Sequence, residues 1–108
     1  MIQPDIEVIF TFNGTRKTPA QNGYRPAHMI TEGCLTTGVH HYYEVPEVLP
    51  NQTAKGTITF ISPDSYPLSL WIGKQIRIQE GERVVGCATV VKIFNSILKN
   101  KSKIKLFD

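Results

Sequence analysis

A chain of 108 residues holds one hydrophobic core and leaves no room for a second catalytic lobe beside it. Its 41% hydrophobic and 19% charged content excludes disorder over most of the length, and no apolar run nears the roughly 18 residues that cross a bilayer. Charge is lopsided: Lys92, Lys99, Lys101, Lys103 and Lys105 against Asp108 give +4 over residues 92–108, and the remainder, with seven basic and eight acidic residues, carries −1. The net charge of +3 therefore belongs to the tail and does not make the body a nucleic-acid binder. The polar start Met1-Ile2-Gln3-Pro4-Asp5 has neither the charged nor the apolar region of a signal peptide, so a cytoplasmic protein is expected.

Along the chain, Ile6, Val8, Phe10 and Phe12 alternate with Glu7 and Thr11, the period-two pattern of a half-buried strand. A loop rich in Asn, Gly, Pro and Gln follows and ends at Tyr24-Arg25-Pro26. Ala27–Thr31 reads as a short strand, Glu32–Gly38 as a connection, and Val39–Val45 as a β-rich run with Tyr42 and Tyr43 on opposite faces. Residues 53–61 place Ala54, Gly56, Ile58 and Phe60 on one side, with Gly56 suited to close packing at a barrel corner. Gln75–Gln79 presents Ile76 and Ile78, Glu80-Gly81-Glu82 supplies a hairpin turn, and Arg83–Phe94 forms a long closing strand. Short strands punctuated by turn residues, without a helical period, predict an all-β fold, a closed six-stranded antiparallel barrel. Residues 1–94 are assigned to it and 95–108 to a basic C-terminal extension. Ile97, Leu98, Ile104 and Leu106 in that extension are compatible with a fraying tail, a short amphipathic helix or an added edge strand.

Two blocks of sequence go further. Gly14-Thr15-Arg16-Lys17-Thr18-Pro19 leading to Gly23-Tyr24-Arg25-Pro26, and downstream Ile76-Arg77-Ile78-Gln79-Glu80-Gly81-Glu82-Arg83-Val84-Val85-Gly86, resemble, in the same order, the C-terminal β-barrel of elongation factor Tu. The likeness extends over roughly Ile6 to Phe94 and implies that barrel's fold as a free-standing module. In the elongation factors the barrel works by binding its neighbouring domains, the nucleotide-exchange factor and aminoacyl-tRNA. The resemblance accordingly implies a protein partner, translation-related or a toxin blocked by an immunity or antitoxin protein, or alternatively a tRNA or other RNA. Ala27 departs from the pattern, since the family usually carries Gln there, a residue associated with tRNA contact.

The candidate RNA-binding residues are Arg16, Lys17 and Arg25 of the loop and Lys99, Lys101, Lys103 and Lys105 of the extension, because phosphates are neutralised by clustered cations, together with Glu80 and Gly81, which match the turn that the resemblance implies near the T stem of tRNA. Tyr24, Arg25 and Pro26 also admit an architectural reading, in which Tyr24 packs, Pro26 fixes the strand entry and Arg25 bonds loop carbonyls. Leu68, Leu70 and Trp71 form an apolar insertion that either completes the core or serves as a protein-binding hot spot. His40 and His41 must point to opposite faces of a strand, so only one can face a given site; a metal pair is not expected, and surface or partly packed histidines are. Gly14-Thr15-Arg16-Lys17-Thr18 lacks the spacing of a phosphate-binding loop, and Glu80 and Glu82 flank a turn as ordinary acids. No nucleotide, cofactor, metal or membrane partner and no enzymatic activity is expected, and Cys34 and Cys87, far apart, are expected to be buried thiols.

Overall fold

The computed structural model describes residues 3–103. Among the described residues eight strands form: β1 (Ile6–Phe12), β2 (Ala20–Gln21), β3 (Ala27–Thr31), β4 (Cys34–Tyr42), β5 (Glu47–Val48), β6 (Thr53–Phe60), β7 (Gln75–Glu80) and β8 (Arg83–Ile93). Six of them close a barrel in the order β1-β6-β4-β3-β7-β8, with every neighbouring pair antiparallel, and β2 and β5 pair beside it. Closure follows from β1, which bonds β6 on one side and β8 on the other, so the barrel leaves no unpaired sheet edge. Among the described residues no helix is long and apolar enough to cross a membrane.

β1 follows the predicted alternation except at Glu7, which is itself buried and accepts from the Tyr43 hydroxyl at 2.8 Å. Ile6, Val8, Phe10 and Phe12 are buried, while Ile9 and Thr11 are exposed. Inside they meet Ile58 and Phe60 of β6, Ile76 and Ile78 of β7, and Val85, Ala88 and Val90 of β8. Glycine makes the tightest crossings possible. A Cβ on Gly56 would lie 2.1 Å from the His41 carbonyl oxygen of β4, so β4 and β6 approach only because that side chain is absent. Gly86 stands in the same relation to β1, 2.6 Å from the Thr11 oxygen.

Three differences from the sequence-based reading concern β4, the cysteines and the tail. β4 starts at Cys34 rather than Val39, because Glu32-Gly33 makes a two-residue turn between β3 and β4, with Gly33 at φ +79°. Cys34 is exposed and Cys87 only partly buried, so the expected pair of buried thiols is not found. In the tail, residues 95–103 form short 3₁₀ turns at Ser96–Leu98 and Lys101–Lys103 and dock on the segment before β7. Leu70 N–H donates to the Leu98 carbonyl (2.8 Å) and Asn100 N–H to the Leu70 carbonyl (2.8 Å), and Leu70 and Leu98 are both fully buried. At the same barrel end, buried Asp5 accepts from Phe60 N–H (2.7 Å) and Asn95 Nδ2 (2.9 Å), tying the entry of β1 to the exit of β8.

Candidate functional site

The loop after β1 folds back over the β7–β8 turn and is gripped there by Glu80. Arg16 Nη1 donates to Glu80 at 2.5 Å, the Tyr24 hydroxyl donates to the same oxygen, and Arg83 reaches the other oxygen at 2.8 Å. The Arg16 guanidinium also lies 4.6 Å from the centre of the Tyr24 ring and donates to the Pro19 carbonyl (2.9 Å) and the Thr18 hydroxyl (3.1 Å). The Tyr24 hydrogen bond, acting against partial burial and joined by Arg16 and Arg83, holds the Glu80 carboxyl below its ordinary pKa. Burial and the Glu80 charge push the Tyr24 phenol upward. Glu80 is thus an ionised anchor, and Gly81 beside it supplies the positive φ (+63°) that the tight turn requires.

These contacts disperse the loop cations. Arg16 is drawn to Glu80, and Lys17 Nζ folds back to the Gly14 carbonyl at 3.3 Å. Arg25 is exposed and, among the described residues, makes no hydrogen bond or ion pair. The bonds to loop carbonyls expected of Arg25 are made by Arg16 instead, because Tyr24 and Glu80 orient Arg16 inward. Pro26 is buried and Tyr24 packs on Phe12 and His40, in line with the architectural reading of both. A cleft of about 610 Å³ opens beside the brace, lined by Arg16, Thr18, Asn22 and Tyr24 among others.

Behind Tyr24 lies a polar chain that sequence reasoning missed. His40 points into the barrel and His41 out of it, as strand geometry requires. His40 and His28 are buried and share a hydrogen bond at 2.8 Å between their Nε2 atoms. His28 Nδ1 lies 3.2 Å from the Thr36 carbonyl, and His40 Nδ1 lies 3.0 Å from the Tyr42 hydroxyl. A carbonyl can only accept, so His28 carries its proton on Nδ1 and offers a bare Nε2. His40 must then donate from its own Nε2 and accept from Tyr42 at Nδ1. The chain is neutral and fully satisfied, running Tyr42 to His40 to His28 to Thr36. Burial lowers the His28 pKa to about 4, and burial together with His28 lowers that of His40 well below its ordinary value. Among the described residues no third His, Cys, Asp or Glu joins them in a metal-sized cluster.

The apolar insertion divides. Leu70 is core. Trp71 is partly buried, with Lys74 Nζ 4.5 Å from its ring centre, and that ammonium is held by the carbonyls of Ile30 (2.5 Å) and Ser69 (2.8 Å). Leu68 is 61% exposed, at φ +58°, a left-handed backbone that leucine adopts at a cost. Its N–H donates to the Ile97 carbonyl at 2.9 Å, which places the exposed Ile97 beside it. A second cleft, of about 550 Å³, runs from Leu68 along Ser96, Lys99, Asn100, Lys101 and Ser102. Lys103 closes the last turn of the tail, and Lys105 lies outside the described residues. No model of a known protein family matches the chain.

Proposed function

We propose that this chain is a non-catalytic binding module with a barrel like the C-terminal barrel of elongation factor Tu. It acts as a protein-binding adaptor or inhibitor linked to translation in the cytoplasm, and an immunity or antitoxin protein is one such role. The observation that carries the reading is Leu68. A large aliphatic side chain standing exposed on a left-handed backbone serves neither the core nor the local conformation, and burial against a partner gives it a use. The neutralisation of Arg16 by Glu80 supports the same reading, because it removes the best-placed loop cation from phosphate binding.

A second reading, a translation-linked module that binds tRNA or another RNA, draws support from Lys17 and Arg25, both exposed on the braced loop. The two readings are separated by photo-crosslinking from defined positions in the native cell. A crosslinker in place of Leu68 is expected to yield one discrete protein adduct, and one in place of Arg25 none. An RNA adduct from Arg25 with no protein adduct from Leu68 would reverse the order of the two.

A further inference from the structure

One cleft joins an exposed aliphatic side chain to two lysines: Leu68, Lys99 and Lys101 line it together with Ser96, Asn100 and Ser102. Ile97, 40% exposed, adjoins Leu68 through the backbone hydrogen bond between them. Among the described residues neither lysine has an ion-pair partner. Asp64 lies on the 3₁₀ turn Pro63–Ser65, which packs against the turn at Ser96–Leu98. The backbone beneath is fixed: Leu68 and Leu70 N–H bond the carbonyls of Ile97 and Leu98 at 2.9 and 2.8 Å, and Leu98 is buried under both. The groove is therefore preformed, with the little rearrangement that favours binding.

Resting on the protein-binding reading above, we infer that this groove takes an acidic, amphipathic peptide segment of the partner, one aliphatic side chain against Leu68 and Ile97 and flanking carboxylates at Lys99 and Lys101. Nucleic acid fits the lysines but not Leu68, because single-stranded bases are held by stacking on aromatic or guanidinium planes and the apolar side chain of this cleft is aliphatic. Complementary charge sets the register of the segment and speeds encounter, and the apolar contact supplies most of the residence.

The test uses the full chain, ¹⁵N-labelled, and three synthetic peptides: leucines among glutamates, the same sequence with glutamine for glutamate, and the acidic sequence with serine for leucine. The first is expected to shift the amides of residues 68, 97, 99 and 101 and to bind roughly tenfold more tightly than either control at low salt. Lys99→Glu/Lys101→Glu should abolish the preference for the acidic peptide. Leu68→Asn should abolish binding while the melting temperature stays or rises, since asparagine tolerates the left-handed backbone better than leucine. Equal binding of the acidic and glutamine peptides would overturn the inference. So would a single-stranded oligonucleotide that binds at these lysines more tightly than the acidic peptide and is indifferent to Leu68→Asn. If a cellular crosslink at Leu68 survives Lys99→Glu/Lys101→Glu, the protein-binding reading stands and the acidic partner falls. If the acidic peptide binds as expected but Leu68 gives no cellular adduct, the groove chemistry stands and the reading falls.

Discussion

Two histidines sealed inside an apolar barrel make its stability depend on pH in a window of their own. In the unfolded chain both titrate near the ordinary value of 6.5, whereas burial lowers folded His28 to about 4 and holds folded His40 well below its ordinary value. As pH falls below 6.5 the unfolded state takes up protons that the folded state refuses. Stability is thus complete above that pH and is lost downward, at up to about 1.4 kcal/mol per pH unit for each histidine. The carboxyls of Glu7 and Glu80, held below the ordinary carboxylate range by the hydroxyls of Tyr43 and Tyr24, lose their contribution only at lower pH still, as they protonate. Thermal melts should superimpose at pH 8 and 7.5 and shift steadily downward between pH 6.5 and 5. A flat melting temperature across that span would contradict the buried neutral pair. At the loop brace, Tyr24→Phe keeps the ring on Phe12 and His40 and removes only the hydroxyl given to Glu80, so it should cost about 1.5–3 kcal/mol, the range for a hydrogen bond to a charged group. Urea unfolding would read that loss, and an unchanged midpoint would show that Arg16 and Arg83 hold Glu80 unaided.

Strands whose inward residues are aliphatic were legible from the sequence, and the strand whose inward residues are not was misread. β1 and β7 carry Ile, Val and Phe at alternate positions, and β6 and β8 interleave Ile, Val and Phe with Ala and Gly. β4 turns Thr36, Gly38, His40 and Tyr42 inward, a polar series that hydropathy reads as a surface, so its first half passed for a connection and the histidine chain went unseen. The one available signal was the period itself: Thr36, Gly38, His40 and Tyr42 are spaced by two, and a buried histidine on such a face needs a partner such as His28. The tail could not be settled because Ile97 and Leu98 give too short an apolar pattern to choose a conformation. The packing of Leu98 on Leu70 makes the tail part of the core, and Leu98→Ala should cost about 2–5 kcal/mol. Denaturant unfolding with an unchanged slope would register it, and a cost below that of an exposed substitution would detach the tail from the fold. Gly56→Ala should be as damaging for the opposite reason, since its methyl would collide with the His41 carbonyl.

At the scale of the whole molecule, charge and architecture are separated: the barrel is braced by its own ion pairs, and the excess lysines belong to the C-terminal stretch of the sequence. Any affinity for RNA should therefore be carried by Lys99, Lys101, Lys103 and Lys105 and depend on phosphate alone, weak and indifferent to sequence. Deleting everything after Phe94 is the wrong way to test this, because the deletion also removes Leu98 and exposes Leu70. Replacing the four lysines with alanine leaves the buried leucine in place. The substituted and unsubstituted proteins would be compared on aminoacylated tRNA, deacylated tRNA and an unrelated RNA across a range of salt. The unsubstituted chain should bind all three alike, with the logarithm of its affinity falling against the logarithm of salt by about 0.7 for each single-strand phosphate neutralised. The substituted chain should lose both affinity and slope. Tight binding that survives the substitution and selects aminoacylated tRNA would instead locate an RNA surface on the barrel itself, at Lys17 and Arg25 on the braced loop, and the RNA-binding reading would then displace the protein-binding one.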